Sequence, residues 1–308
     1  MPFTPLKHTI AKYRWLYQLG LQGPDMFFYN IPILRHRDYR NVGSYMHEHK
    51  VNAFFECCLR RIGTIRSRQQ QEEAISYLAG FINHYIADSI CHPYVYGRIG
   101  YPVDAPTSMH HGMHAHLENE LDAILLWKYK KKKPSEFNQT ATICLNGQEI
   151  QFISHFLASC INETYYPITY RNNFQVTPAM VHRSIWALRF GCRTLSDKNG
   201  KKKFSIAQVE SIFVNHPVAS AKMVTDSVTD YRSSCNLNHE AWGNPWDPTR
   251  VSTASFVDLF HETLDKCSRV YALLNSAVTD NMPLDKQDLS PLLAELGNES
   301  YHSGLPVE

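Results

Sequence analysis

No stretch of this 308-residue chain approaches the roughly 18 apolar residues that a membrane-crossing helix needs. No CxxC pair occurs, which excludes a cysteine zinc ribbon and a thioredoxin-type redox motif. Charge of one sign is missing as well. The 31 Lys and Arg nearly balance the 29 Asp and Glu, and the net charge is +2. There is thus no overall basic field to gather nucleic acid and no acidic field to gather basic partners. The first residues, MPFTPLKHTIAKYRWLYQLG, lack the uninterrupted apolar core and small-residue cleavage site of a signal peptide. A cytoplasmic location is therefore expected; secretion would require that the chain be already processed. No internal repeat is found.

What is present describes a folded protein. Hydrophobic residues make up 44% and charged residues 19%, and the length is ample to bury a core. The eight cysteines are scattered, and a chain of this size does not need disulfides, so they are expected reduced and mostly buried. Histidine is the outlier: there are 16, and those between His84 and His116 fall into tight groups.

Apolar residues recur at helical spacing through most of the chain. Helices are expected over residues 4–22, about 44–65, about 70–91 (ending before Pro93) and about 109–130. Further helical patterns lie near 151–165, 178–196, 205–215, 217–232 and 253–280. Residues 24–42 and 93–108 read as loops, and Lys130 to Lys133 as a solvated helix end that the helix dipole favours. The class is all-α: a multi-helix globular bundle around a multinuclear metal site, with a minor β-hairpin near 140–150. Residues 1–135 are expected to form the metal-binding core, 136–281 to add helices packed on it, and 282–308 to be a loose tail.

Two segments carry the chemistry. In the first, His84, Asp88 and His92 follow at i, i+4 and i+8, so they form one row on a helix. Tyr77, Phe81 and Tyr85 share that side, which turns the row inward. A buried Asp between two histidines needs a partner, and a metal ion is the simplest one. The second segment, His110-His-Gly-Met-His114-Ala-His116-Leu-Glu118-Asn-Glu120, offers two i, i+4 pairs. Leu117, Leu121, Ile124 and Leu125 set the apolar face. His114 and Glu118 point along it, leaving His116 and Glu120 as outward residues. Zinc takes imidazole nitrogen and carboxylate oxygen, usually four ligands to an ion. One row cannot surround an ion, but two rows on facing helices can. The alternative for each row alone is a set of core histidines in hydrogen-bonded networks.

The sequence HYIADSICHP followed by HAHLE resembles the zinc-dependent phospholipase C family of bacteria, whose pattern is H-x-x-x-D, a His-Pro, then H-x-x-x-E. Upstream, LGLQGPDMFFYN and the Met-His of GSYMHEHKVNAFF resemble its other ligand segments, so the likeness covers roughly residues 1–125. The resemblance implies an all-helical fold around three zinc ions, and this chain is expected to hold two or three. Asp25, His47, His84 and Asp88 would hold one ion. His92, His114 and Glu118 would hold a second. Asp88 would bridge to a third, completed by His8 and the N-terminal amine. His49 competes with His47, and the Met-His order favours His47. The secreted members begin with a Trp that binds the third ion, whereas this chain begins Met1-Pro2-Phe3.

The activity so implied is a zinc-dependent phosphoesterase. It would hydrolyse a phosphodiester, phospholipid among the candidates, with zinc-activated water and Asp25 as catalytic residue. A net positive metal site suits an anionic ester. A zinc-dependent nuclease or nucleotidase is a second reading, which the near-neutral charge disfavours for long nucleic acid. A non-catalytic helical protein stapled by structural zinc is a third. The segment His239 to Trp246 places exposed Trp in a Gly/Pro loop, either packed structurally or covering a site mouth.

Overall fold

The computed structural model describes residues 4–29, 41–214, 216–217, 219–228 and 230–308. The all-α class holds, with one small two-stranded sheet among the described residues. In chain order the helices are α1 (Pro5–Lys12), α2 (Arg14–Gly20), α3 (Val42–Glu48), α4 (Val51–Thr64), α5 (Arg68–Arg98), α6 (Ser108–Lys130), α7 (Gly147–Tyr165), α8 (Pro178–Leu195), α9 (Lys201–Phe213) and α10 (Tyr231–Ser234). Strands β1 (Trp242–Asn244) and β2 (Asp247–Ser252) follow, then α11 (Phe256–Thr279) and α12 (Ser290–Leu296). No helix of the described residues is long and apolar enough to cross a membrane.

The chain forms two compact units of discontinuous segments, not the consecutive blocks 1–135 and 136–281. The first comprises residues 1–89, 141–189 and 263–308. Here α2 crosses α5 with no side chains between the backbones: a Cβ on Gly20 would lie 2.1 Å from the Tyr77 carbonyl, and one on Gly80 2.0 Å from that of Tyr17. Phe54, Phe55, Tyr77, Phe81 and Tyr85 are fully buried around this crossing. Each contributes roughly 1.5–3 kcal/mol by leaving water. Tyr271 of α11 donates to the Ala79 carbonyl at 2.7 Å and ties α11 to α5. The unbroken helix expected over 44–65 divides at Lys50, whose φ of 49° is left-handed.

The second unit comprises residues 90–140 and 190–262. Tyr94 and Val95 of α5, Leu121 and Ile124 of α6, and Phe256 and Leu259 of α11 form its core with Cys235. The hairpin β1–β2 pairs Trp242 with Ser252 and carries a bulge at Gly243–Asn244. It rests directly on α5, because a Cβ on Gly97 would come within 2.4 Å of the Gly243 carbonyl.

Several expectations are corrected. The hairpin lies at 242–252 and not near 140–150, where Gln139–Thr142 is a 3₁₀ turn and α7 begins. The reason is a capping box: the Asn146 side chain accepts from Glu149 N–H at 2.9 Å, while Glu149 accepts from Asn146 N–H at 2.8 Å. Helix α5 runs through Pro93 to Arg98. A helix-interior proline costs about 3 kcal/mol, and the burial of Tyr94 and Val95 just beyond it works against that cost. In place of a helix over 217–232 stand a 3₁₀ turn at Ser220–Lys222 and the short α10. Residues 282–308 are no loose tail: they hold α12 and bury Leu284, Leu289, Leu292, Leu296 and Tyr301.

Candidate metal centre

The first group of donors is built in the first unit. Asp25 sits on a 3₁₀ turn, Gly23–Tyr29, that directly follows α2. His47 closes α3, and His84 and Asp88 lie one turn apart on α5. The His47 Nε2 is 3.1 Å from Asp25 Oδ1 and 3.9 Å from Asp88 Oδ2. The His84 Nε2 is 3.1 Å from Asp88 Oδ2 and 4.0 Å from Asp25 Oδ1.

The second nitrogen of each ring fixes its tautomer. His47 Nδ1 donates to the Gly43 carbonyl at 2.7 Å, and His84 Nδ1 to the Leu21 carbonyl at 3.1 Å. A carbonyl only accepts, so Nδ1 carries a proton and Nε2 is the nitrogen that faces the carboxylates. At these distances each Nε2 can meet the carboxylates through a bound cation or as the N–H of a charged imidazolium. Gly23, at φ +48°, makes room for the ring: a Cβ there would lie 2.0 Å from His84 Cδ2.

The second group is built in the second unit. His92 of α5 and His114 of α6 each bring Nε2 to 3.0 Å from the same Oε1 of Glu118. Desolvation acts to raise the Glu118 carboxyl, but the imidazoles of His114 and then His92 outweigh it and hold the carboxyl well below the usual carboxylate range. Its side chain keeps 41% of its surface open, so solvent tempers the effect. Tyr96, one turn beyond His92, lies 4.5 Å from the His114 ring.

The donors fit zinc. Asp25, His47 and His84, and separately His92, His114 and Glu118, each bring one ligand atom within 4.8 Å of the others. Ligands on a tetrahedral zinc lie about 3.3–3.5 Å apart, given bonds of about 2.0–2.1 Å. The N···O separations of 3.0 to 4.0 Å bracket that spacing. Imidazole nitrogen with carboxylate oxygen is also the donor mixture zinc prefers.

Other candidates take different places. His8 is exposed on α1 and belongs to neither three-donor group. The N-terminal amine expected beside it lies outside the described residues. The His49 ring lies 4.3 Å from that of Tyr45, tilted by 38°. His110 receives the Thr107 N–H at 3.2 Å and caps α6. His116 points outward as expected, but Glu120 does not: it is buried and accepts from Ser234 Oγ at 2.6 Å. Trp246 packs edge-on against Tyr96 at 5.0 Å.

Sequence reasoning missed Tyr301 and His302, whose rings lie 4.8 Å from His47. Nothing in their local sequence marks them. Tyr96 could have been found, since it continues the row of His84, Asp88 and His92.

The family model described as zinc dependent phospholipase C matches residues 1–169, more than half of the chain. The chain belongs to the zinc-dependent phospholipase C family. Family membership supports zinc as the metal and a phosphoric ester hydrolase as the general activity. All the donors named above fall within the matched residues. No curated protein and no solved structure matches the chain.

Proposed function

We propose that this member of the family hydrolyses a phosphodiester, in the manner of a phospholipase C, at zinc held by its histidine and carboxylate donors. The observation that supports this best is the pair of convergent donor sets, each of two imidazoles and a carboxylate. Zinc bound there supplies Lewis-acid polarisation of a phosphoryl oxygen and of the attacking water.

The remaining steps belong to the chain's own residues. Asp25, His47, His84 and Asp88 would hold one ion, and His92, His114 and Glu118 would hold another. Asp25 is the catalytic residue: its side chain is 42% exposed, against 1% for His47 and 16% for Asp88. One carboxylate oxygen faces the imidazoles, and the other orients a water and accepts its proton. Carbonyls at Gly43 and Leu21 keep the histidine rings in register through the reaction, as outer partners of metal ligands do.

Elemental analysis of the purified protein, followed by turnover of a chromogenic phosphocholine ester and of a bis-substituted phosphate ester, tests the proposal. Bound zinc and chelator-sensitive cleavage of a diester are expected. Metal-replete protein that cleaves neither would favour structural zinc. Cleavage of single-stranded nucleic acid in preference to both would favour the nuclease reading.

A further inference from the structure

The last residues of the chain close over the first donor group. Tyr301 is 1% exposed, and its ring lies 4.8 Å from that of His47, 5.9 Å from His84 and 4.9 Å from Tyr85. Its N–H donates to the His47 carbonyl at 3.0 Å. The His302 ring lies parallel on His47, at 4.8 Å and 9°. The segment is fastened at both ends. Glu299 accepts from Tyr85 OH at 2.6 Å and returns its N–H to the same oxygen at 2.9 Å. The Glu308 carbonyl accepts from Lys50 N–H at 3.0 Å, and Asn298 Oδ1 from Asn52 N–H at 3.0 Å. His47 thus sits between Phe28, 5.4 Å away, Tyr301 and His302, with Nδ1 pinned to Gly43. Tyr301 and His302 fall well beyond the residues matched by the family model.

We infer that residues 298–308 are a positioning element for metal binding at the first group, with Tyr301 and His302 as the residues that act. Their rings hold the His47 imidazole in the rotation that turns Nε2 toward Asp25 and Asp88. A ring free to turn about its side-chain torsions would spend less time in that rotation and bind metal more weakly. Coupling of this kind is reciprocal: a segment that tightens metal binding is itself tightened by the metal. Chelation therefore loosens the C-terminus, and loss of the C-terminal contacts weakens the metal. This rests on the reading that the first group binds zinc.

The test uses the full chain in a His114→Ala background, which removes the second group and leaves the first as reporter. Competition with a chromogenic chelator gives zinc affinity for this reference and for added His302→Ala, Tyr301→Leu and Tyr301→Phe. Loss of an outer partner typically weakens metal affinity about 10–100-fold. That loss is expected for His302→Ala and Tyr301→Leu, whereas Tyr301→Phe keeps the ring and retains affinity. Carboxypeptidase digestion of the unsubstituted protein should release C-terminal residues faster after chelation than with zinc bound. Should Tyr301→Leu fail to fold, His302→Ala alone decides the outcome, because His302 is only half-buried. Unchanged affinity in His302→Ala, or equal digestion with and without zinc, would overturn the inference. A reference protein that binds no zinc at all would instead overturn the metal reading beneath it.

Discussion

His84 and Asp88, one turn apart on α5, bring Nε2 and Oδ2 to 3.1 Å with the imidazole proton committed to the Leu21 carbonyl. In a largely enclosed site this pair is satisfied by a charged imidazolium or by a cation bound between the two atoms. At Glu118, two imidazole nitrogens converge on one carboxylate oxygen.

Asp88→Asn keeps the shape and removes the charge. The variant should fold, yet bind less zinc than the wild type by elemental analysis after dialysis. Full metal content would remove Asp88 from the ligand set.

Gly23→Ala should be strongly destabilising. Its φ of +48° disfavours any side chain, and the added Cβ would meet the His84 ring at 2.0 Å. Strain of this kind costs on the order of 1–3 kcal/mol. A melting temperature lowered by several degrees, together with weaker zinc binding, is the expected result. A variant as stable as wild type would show that the turn relaxes without touching His84.

Acid should act through Glu118 in metal-free protein. The imidazoles of His114 and His92 hold its carboxyl below the ordinary range. A carboxyl depressed on folding stabilises the fold at pH values above its unfolded pKa of about 4.3. That contribution fades as the pH falls through the folded value. Urea denaturation between neutral pH and pH 3, in chelator, should therefore lose stability more steeply in wild type than in Glu118→Gln. Parallel curves would deny the coupling.

The cysteines should divide sharply in reactivity. All eight are free thiols, as the sequence suggested. Burial pushes Cys235 up to about 11 and Cys267 to about 12, so neither forms thiolate at neutral pH. Cys144 is exposed. Alkylation of the native protein followed by peptide mapping should find Cys144 modified first, with Cys235 and Cys267 silent until unfolding. Early labelling of Cys235 would contradict the packing of the second unit.

The helices bearing the donors were legible because local physics decides them. Spacing i, i+4 puts His84 beside Asp88 and His114 beside Glu118 whatever the rest of the chain does. The apolar phase of α6 also separated His114 from His116 correctly. It failed at Glu120, which is buried because Ser234, far along the chain, offers a hydroxyl. Contacts of this length leave no periodic trace. The same holds for Tyr301 and His302: residues 282–308 lack a repeating apolar pattern because short turns and single anchors, not a long amphipathic face, bury them. The misplaced hairpin has a local cause, since Asn146-Gly147 suits a tight turn as well as a helix start. Glu149 decides for the helix.

Diffraction data collected on either side of the zinc absorption edge, from crystals grown without chelator, would test the central claim most directly. The account predicts anomalous peaks among Asp25, His47, His84 and Asp88, and among His92, His114 and Glu118. Peaks confined to other residues, or none from protein shown to be zinc-replete, would contradict it.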